Sequence, residues 1–390
     1  MKIKVRPEDF VVEEKVSLPL DKGGRYRVYL LTKRGYNTVD LLIKLSKAFG
    51  ISFQKFSYGG KKDRYGLTSQ YITIDDSSIR EIQENAFSLK YIGDMKRPMG
   101  PDLIEGNEFK VIVRDLVLEE AERALREIEF VRVYGYPNYF DDQRFGSFSK
   151  EQGFIAEKIL KKHYNGAVKI YLTAIHPEDK KEEKERKRFF FEKWGNWSEC
   201  LKRAKTAFEK KAFSLLIKKE EKPFLKIIQS IPKEELSLFF SAFQSYIWNK
   251  LAERIVMIYG DELLSYRGNY WDYIFYRRPQ SFQYLTGLLI PTASHKTEMP
   301  DELTVEIYNN ILKEMELRPS MFNLKKIRTA FFSSTQRPLV VIPVLKDYAV
   351  EDDKLYKGKK ALYLNFDLPR GSYGTMFIKR LFADEYRKNP

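Results

Sequence analysis

Residues 58–70 read YGGKKDRYGLTSQ, and the first part of the chain is arranged around them. The adjacent Gly59 and Gly60 permit backbone angles that other residues avoid, which predicts a tight turn. The branched and aromatic residues that follow, up to Ile74, predict a β-strand. Asp63 lies in the turn between a lysine and an arginine, and neighbouring positive charge favours its carboxylate form. We therefore expect an ionised Asp63 that can act as a nucleophile, with a plain surface aspartate in a charged turn as the alternative.

The composition indicates a globular protein with a polyanionic partner. The chain has 390 residues, 43% of them hydrophobic, which is enough for two or more domains with cores. Its formal net charge of +15 points to RNA or DNA before a membrane, although a generally lysine-rich proteome is an alternative. Aromatic residues make up 15% of the chain and leave some rings for stacking on bases.

Several kinds of site lack the residues they require. Cys200 is the single cysteine, which suits a reducing cytoplasm. The histidines, His163, His176 and His295, are far apart and lack partners at metal-ligand spacing, so we expect no metal. No Walker lysine motif and no G-x-G-x-x-G fingerprint occurs, so we expect no nucleotide cofactor. No apolar run approaches 18 residues, and the N-terminus lacks a signal-peptide core, so we expect a cytoplasmic protein with no membrane segment.

The two ends of the chain have strand patterns. The first 135 residues mix strands with helices, which argues for an α+β or mixed-sheet domain, and Thr38 is predicted to cap a helix that Gly50 ends. From about Arg328 strands return, at residues 338–344 and 360–366. Sheet-like ends around a helical middle suggest one domain interrupted by an inserted one.

The middle of the chain is predicted to be helical. Residues 178–188 are all charged, which indicates a solvated helix or mobile linker, with an RNA-touching arm as the alternative. Apolar residues recur with a 3.6-residue period from Leu236 to Ile255 and predict a long core-facing helix. Gln244, Ser245 and Asn249 lie on or beside that helix, where we expect ordinary polar packing.

A second candidate functional stretch is GYPNYFDDQRFG, residues 135–146. Its proline and glycines predict a loop. The combination of aromatic rings with glutamine and arginine suits a surface that stacks on bases and contacts phosphates. The alternative is that Tyr139, Phe140 and Phe145 fill the core beneath the loop.

Three stretches together resemble the signature motifs of the TruD family of tRNA pseudouridine synthases. GKKDR at 60–64, with Thr68 and Gln70, resembles the family's G-x-K-D-x-x-A-x-T-x-Q motif. NYFDDQRFG at 138–146 resembles N-Y-F-G-x-Q-R-F-G, and LPRGSYGT at 368–375 resembles the C-terminal L-P-x-G-S-(Y/F)-A-T. Weaker similarities fill the gaps, so that the resemblance runs nearly from end to end in the family's order.

The resemblance implies roles for individual residues. Asp63 would be the catalytic aspartate, and Lys4 a basic neighbour at the place of a lysine that the family uses near its active site. Phe140 would pack against the target uracil, Asn138 would help to shape that pocket, and Arg144 of the same loop would bind the RNA substrate.

The sequence also departs from the family pattern. Lys379, a candidate substrate-binding residue, stands where the family tends to have an arginine before a glutamate. The pair here is Lys379–Arg380, and which of the two cations, if either, pairs with the catalytic aspartate is open. Gly66 and Gly374 replace alanines, which we expect to be mild changes. Asp141 replaces a glycine, so either the loop backbone differs there or an added acid faces the RNA.

The fold implied by the resemblance is α+β, with a mixed, mostly antiparallel sheet in a pseudouridine synthase catalytic core. That core would comprise residues 1–150 and 326–390, and a helical-rich TRUD insertion domain would comprise 151–325. The implied activity is isomerisation of uridine to pseudouridine in tRNA, at position 13, by a monomer that extrudes the target base. The aspartate would attack C1′, stabilise positive charge there or remove a C2′ proton; the sequence leaves these open.

Two other functions remain as alternatives. One is a catalytically idle RNA-binding or RNA-folding protein that keeps the same cleft. The other is a hydrolytic enzyme that uses the same carboxylate to cleave nucleosides, which would release free uracil.

Overall fold

The computed structural model describes residues 1–176, 179–327 and 329–386. Glu178 of the predicted charged segment, Arg328 at the predicted return of strands, and residues 387–390 lie outside these ranges. The strands are β1 (Phe10–Val16), β2 (Tyr26–Lys33), β3 (Phe56–Tyr58), β4 (Leu67–Ile74), β5 (Ile82–Gln83), β6 (Phe87–Met95), β7 (Ile104–Leu116), β8 (Tyr136–Pro137), β9 (Gly260–Arg267), β10 (Asp272–Pro279), β11 (Leu289–Pro291), β12 (Gln336–Pro338), β13 (Val340–Val341), β14 (Val344–Asp352), β15 (Lys360–Pro369) and β16 (Asp384–Glu385). The helices are α1 (Thr38–Phe49), α2 (Leu118–Tyr134), α3 (Ile155–Leu160), α4 (Tyr164–Thr173), α5 (Lys181–Glu192), α6 (Trp197–Arg203), α7 (Ala207–Ile217), α8 (Pro223–Gln229), α9 (Lys233–Tyr259), α10 (Phe282–Gly287), α11 (Glu302–Glu314) and α12 (Gly374–Leu381).

The chain forms two compact units. The first contains Met1–Tyr136 and Val341–Ala383, and the second contains Pro137–Val340 and the described residues from Asp384 onward. The domain boundaries predicted after residues 150 and 325, and the functions assigned to those domains, stay predictions.

One sheet organises the first unit. Among its described residues the sheet has nine strands, of which eight follow the order β14-β15-β7-β1-β4-β2-β6-β5 and the ninth, β3, pairs with β4. The β1–β4 pair is parallel, and the other neighbouring pairs are antiparallel. The predicted α+β class, with its mixed and mostly antiparallel sheet, is therefore confirmed.

Helix α1 packs on this sheet, and its N-terminal cap lies one residue earlier than the sequence predicts. Leu41, Leu42 and Leu45 of α1 are buried in the same core cluster as residues of β2 and β4. The prediction that Thr38 caps α1 is wrong, because the Asn37 side chain accepts a hydrogen bond from the Asp40 N–H at 2.8 Å. Gly50 ends the helix with φ of 68°, as the sequence predicts.

The second unit is mainly helical and is built around α9. All six apolar residues of the predicted stripe are buried, which confirms the long core-facing helix: Leu236, Phe240, Phe243, Ile247, Leu251 and Ile255. Strands β10, β9 and β16 form a three-stranded sheet beside the helices. The described part of the charged segment lies mostly in α5, where Phe190 is the buried residue. Within the described part of the chain, no helix combines the length and apolar character that crossing a membrane requires.

The strand predicted over residues 338–344 is wrong in its extent. Instead, β12 ends at Pro338, β13 covers two residues and β14 begins at Val344. Proline has no N–H to donate to a strand ladder, and Pro338 and Pro343 stand at the two places where pairing stops.

Candidate functional site

The loop between β3 and β4 carries Asp63. Along β4, the parallel partner β1 pairs with residues 67–69 and β3 pairs with residues 72–74. Neither Gly59 nor Gly60 has a positive φ, so the loop does not use the left-handed backbone angles that glycine permits. Gly59 is required by space instead: a Cβ there would lie 2.8 Å from the Gly100 carbonyl oxygen.

Buried polar side chains fix the backbone of this loop. The Gln70 Nε2 donates to the Gly60 carbonyl at 3.0 Å, and the Thr38 Oγ1 donates to the Gln70 Oε1 at 2.7 Å. The same Thr38 oxygen accepts a hydrogen bond from the Lys62 N–H at 2.9 Å. The motif glutamine therefore holds the loop in place, and Thr38 links the loop to the start of α1.

The Lys62 side chain points into the sheet. Its Nζ lies 2.9 Å from the Glu14 Oε1 and 2.5 Å from the Asn107 Oδ1. The Glu14 side chain has no exposed surface, and its Oε2 accepts a hydrogen bond from the Tyr71 N–H at 3.0 Å. This buried cluster anchors the residue that directly precedes Asp63.

Asp63 is paired with Lys4. The Lys4 Nζ donates to the Asp63 Oδ2, and the Tyr65 N–H donates to the Oδ1 at 3.1 Å. Burial is the largest influence on the pKa of Asp63 and raises it, but the charge and hydrogen bond of Lys4 and the loop N–H groups outweigh burial. The pKa of Asp63 is therefore lowered, and the carboxylate is ionised near neutral pH. Because the Asp63 side chain is 23% exposed, a ligand can reach it.

The N-terminal segment that supplies Lys4 is itself anchored. Lys2 forms a two-hydrogen-bond bridge with Arg114 of β7, each at 2.8 Å. The Arg114 guanidinium binds both oxygens of Asp9, at 2.7 and 3.0 Å, and the Asp353 Oδ1 at 3.0 Å. Lys4 has a φ of 57°, a left-handed conformation that costs a non-glycine residue about 1 kcal/mol. These anchors hold the turn that directs Lys4 at the carboxylate.

The ion-pair partner of Asp63 is Lys4 and not the buried Arg380 of α12. Arg380 is fully buried in α12, and its Nη1 lies 2.7 Å from the Glu127 Oε2 of α2. Lys379 is partly exposed on the same helix. The question of which cation pairs with Asp63 is thus answered by Lys4, and Arg380 has a role inside the unit.

In the second unit, Asn138 is bound to Arg337. Asn138 is buried, and its Oδ1 accepts a hydrogen bond from the Arg337 Nη2 at 2.8 Å. The Arg337 Nε donates to the Asn138 carbonyl at 2.8 Å, and the Asn138 N–H donates to the Leu339 carbonyl at 2.7 Å. Asn138 therefore fixes the path of the chain just before Phe140.

Phe140 is held by its main chain and surrounded by cations. The Asn249 side chain accepts from the Phe140 N–H at 2.9 Å and donates to its carbonyl at 2.8 Å. The guanidinium carbons of Arg337 and Arg144 lie 4.1 and 5.8 Å from the centre of the ring. Trp248 packs edge-on against the ring at 5.6 Å. Phe140 is thus a fixed, partly exposed aromatic ring in a positively charged setting.

The neighbours of Phe140 fill the core. Tyr139 and Phe145 are 1% and 0% exposed, so the core-filling alternative holds for them. Asp141 is 5% exposed, with an extended φ of −81°, and its side chain accepts a hydrogen bond from the Asp142 N–H at 2.8 Å. The alternative that Asp141 faces the RNA is therefore wrong, because its carboxylate caps the short turn over Asp142–Phe145.

Two glycine replacements are not mild in this chain. A Cβ on Gly66 would lie 2.5 Å from the Phe10 carbonyl oxygen, and one on Gly374 would lie 2.7 Å from the Phe109 ring. Contacts that close require a neighbour to move, and at Gly66 that neighbour is backbone. The chain thus packs β1 against the Asp63 loop more closely than an alanine would allow.

Sequence reasoning missed three residues that build these sites. Arg337 lies in a segment without a signature motif, and its spacing from Asn138 carries no signal. Asn249 and Ser245 were assigned to ordinary packing, yet Asn249 clamps Phe140, and the Ser245 Oγ accepts a hydrogen bond from the Arg144 Nε at 3.2 Å. For Asn249 and Ser245, the signal that could have identified them is a polar residue on the core side of a long helix. The described residues include no group of three or more His, Cys, Asp or Glu side chains that could hold a metal ion.

Comparisons with known proteins agree along the length of the chain. The sequence profile of the family described as tRNA pseudouridine synthase D (TruD) matches residues 1–264 and 281–381. A tRNA pseudouridine synthase D of Leptospira interrogans is 33% identical over 399 residues, which cover 97% of this chain and 95% of the relative. A Methanococcus maripaludis protein assigned as tRNA pseudouridine synthase D 1 is 32% identical over 391 residues, which cover 98% and 99%. A crystal structure of a Methanosarcina mazei protein assigned as tRNA pseudouridine synthase D has a TM-score of 0.72 and 25% identity, covering 97% and 93% of the two chains.

These matches place the chain in the class of pseudouridine synthases. Within that class it belongs to the tRNA pseudouridine synthase D (TruD) family, as its motifs predict.

Proposed function

We propose that this protein converts uridine to pseudouridine in tRNA, at position 13, and that Asp63 is the catalytic carboxylate. The observation that supports this role best is the state of Asp63, which is ionised, partly exposed and oriented by Lys4. Family membership supports the reaction class. The reaction breaks the C1′–N1 bond and forms a C1′–C5 bond, while C5 loses a proton and N1 gains one. No electron or group is transferred to another molecule, so the reaction needs no redox or group-carrying cofactor.

The target uridine must first leave its stack, because neither its sugar nor its base face can be reached within a folded RNA. Phe140 offers a replacement stacking surface, and base–aromatic stacking contributes about 1–3 kcal/mol. The net charge of +15 favours binding of the phosphates, with Arg144 and Lys379 as contributing cations. We therefore propose Phe140, Asn138, Arg144 and Lys379 as substrate-binding residues.

Asp63 can act on the extruded nucleoside in three ways. Its carboxylate can attack C1′, stabilise positive charge that develops there, or remove the proton on C2′. Each way requires the ionised form, which the Lys4 ammonium supports. Its Oδ2 is directed at Lys4 and its Oδ1 accepts from the Tyr65 N–H, so rotation of the carboxylate is restricted before substrate arrives.

The test is modification of total tRNA from a strain that lacks this enzyme. Wild-type protein is expected to produce pseudouridine at position 13. Asp63→Asn is expected to bind the tRNA but to form pseudouridine at a rate at least about 10²-fold lower. Asp347→Asn, an exposed aspartate in the same unit, is the matched control. Pseudouridine formation by Asp63→Asn at the normal rate would contradict the assignment of Asp63.

The same assay separates the alternative functions. Binding of tRNA by the wild-type protein without any change in the uridines would support an idle RNA-binding protein. Release of free uracil would support hydrolysis, whereas isomerisation releases nothing. We further propose that the protein acts in the cytoplasm as a monomer without metal, which light scattering of the purified protein and activity after chelation would test.

A further inference from the structure

A buried lysine lies beneath the loop that carries Asp63. Lys33, the last residue of β2, has no exposed side-chain surface. Its Nζ donates to the carbonyl oxygens of Tyr36 at 2.9 Å, Asp63 at 2.8 Å and Lys62 at 3.3 Å. An ammonium group has three N–H donors, so each of the three carbonyls receives one of them.

We propose that the protonated Lys33 is a positioning residue for catalysis, which holds the main chain of Asp63 so that its carboxylate meets the substrate. This inference rests on the proposed function of Asp63. Lys33 acts through the carbonyl of Asp63 and does not touch the carboxylate in the contacts described above. The side chain therefore fixes where the carboxylate stands, while Lys4 fixes its charge and rotation.

The positioning role requires the charged form of Lys33. A neutral amine keeps two N–H donors and would turn its lone pair toward one of the three carbonyl oxygens. That carbonyl would then be buried without a donor, which is an unfavourable state for a polar group. Loss of the proton should therefore release one of the three carbonyl groups, two of which belong to Lys62 and to Asp63 itself.

The surroundings of Lys33 place this proton loss within an accessible pH range. Burial lowers the pKa of Lys33 to about 8, with the Asp63 charge opposing the shift and the Lys62 charge adding to it. Thr68 of β4 and Phe87 of β6 stand opposite Lys33 on its two sides in the sheet and carry no charge. The charged residues lining the neighbouring cavity of about 370 Å³, which Lys33 also lines, are Glu8, Arg34 and Glu84.

The experiment compares Lys33→Met, Lys33→Arg and wild type in the tRNA modification assay across pH 7 to 9.5. The methionine keeps most of the length of the side chain, one atom short of the lysine, but has no donor, so we expect kcat to fall roughly 10- to 100-fold with the dissociation constant for tRNA unchanged. In the wild type, kcat should decline on the alkaline side with an apparent pKa near 8. Arginine stays charged throughout this range, so Lys33→Arg should recover part of the activity and lose this decline.

Controls separate positioning from general stability. Lys47→Met changes an exposed lysine on α1 and should leave kcat and its pH dependence unaltered. If either Lys33 variant fails to fold, the titration of the Lys33 ammonium can be followed by NMR in the wild-type protein and compared with its pH–rate profile. A midpoint that differs from the decline in kcat would overturn the inference.

Two further outcomes are distinct. An active wild type with equal kcat in Lys33→Met at pH 7 overturns the role of Lys33 and leaves the proposed function intact. A wild type that forms no pseudouridine overturns the proposed function and, with it, this inference.

Discussion

Lys4 and Asp63 are 59 residues apart in the sequence, and their side chains form an ion pair. Both groups are partly buried, with 18% and 23% of their side-chain surface exposed. A pair in this setting is screened less by salt than a fully exposed one. Lys4 also lies 4.4 Å from the centre of the Phe10 ring, which restricts it to the side of the carboxylate.

Removal of the Lys4 charge should move the acid side of the activity profile. Lys4 supplies the main influences that lower the pKa of Asp63, so in Lys4→Met burial dominates and the pKa should rise. A carboxyl group whose pKa is lowered by folding stabilises the folded protein. This stabilisation is fully present at a pH above the ordinary carboxyl pKa of 3.8, and it is lost as the pH falls through the lowered pKa. In the variant, kcat should therefore begin to fall at a higher pH than in the wild type. Lys4→Arg keeps the charge and should keep the wild-type profile; an identical acid limb in Lys4→Met would refute the argument.

Truncation of Phe140 should weaken catalysis more than tRNA binding. Loss of one stacking surface of about 1–3 kcal/mol corresponds to a roughly 5- to 150-fold lower kcat/KM in Phe140→Leu. Because many phosphate contacts contribute to binding, the dissociation constant for tRNA should change less. Phe140→Tyr preserves the ring and serves as the control. Equal kcat/KM for Phe140→Leu and wild type would show that this ring does not meet the target base.

Asn249 should matter because it fixes Phe140. Asn249→Asp retains the acceptor for the Phe140 N–H but places a carboxylate oxygen against the Phe140 carbonyl, where the amide N–H now donates. We expect loss of kcat/KM similar to that of Phe140→Leu, together with a lower melting temperature because Asn249 is buried. Asn249→Gln has the same groups on a longer side chain and tests reach. Combining Asn249→Asp with Phe140→Leu should add little further loss, since the two act through one ring.

The sequence predicted the secondary structure well where spacing alone determines it. The apolar stripe of α9 follows the 3.6-residue period of a helix, and this helix was found where expected. The cap of α1 was missed by one residue because Asn37 and Thr38 are both good capping residues. Only the structure shows that the Thr38 hydroxyl is engaged by Gln70 and Lys62.

The sequence predicted the site residues that stand in motifs, but it did not predict the residues that contact them. Asp63 and Phe140 stand in recognisable motifs, whereas Arg337 contacts Phe140 from a position 197 residues further along the chain. In the sequence, Lys33 is an ordinary lysine at the end of a strand. The residues around it in the sequence do not indicate that its side chain binds three carbonyl oxygens. Contacts that depend on the paths of distant loops leave no trace in local spacing.

Alanine at position 66 should destabilise the protein even though alanine is the family's usual residue there. The Cβ of Gly66→Ala would lie 2.5 Å from the Phe10 carbonyl oxygen, so β1 or the Asp63 loop has to shift. Gly60→Ala is the matched control, because its Cβ would meet nothing closer than 3.7 Å. In thermal unfolding, the melting temperature should be clearly lower for Gly66→Ala and little changed for Gly60→Ala. Equal melting temperatures for both variants would mean that the close approach is easily relieved.

Lys33 should have opposite effects on stability and on activity as the pH rises. Its pKa is about 8 in the folded protein against an ordinary 10.5, so between these values the unfolded chain binds more protons than the folded one. Stability contributed by this group therefore rises with pH across the window, by up to about 3 kcal/mol, because the cost of burying a charge is relieved. Below pH 8 that cost is present in full, and the ammonium holds the Asp63 loop.

Denaturant unfolding at several pH values would measure this effect. Other lysines and tyrosines also titrate in the same window, so the informative quantity is the difference in unfolding free energy between wild type and Lys33→Met. The methionine variant has no proton to lose at this site, and the difference should shift in favour of the wild type from pH 8 toward pH 10.5. A difference that stays constant with pH would mean that Lys33 keeps its proton throughout. In that case the ammonium is held so strongly by the three carbonyl oxygens that burial does not lower its pKa.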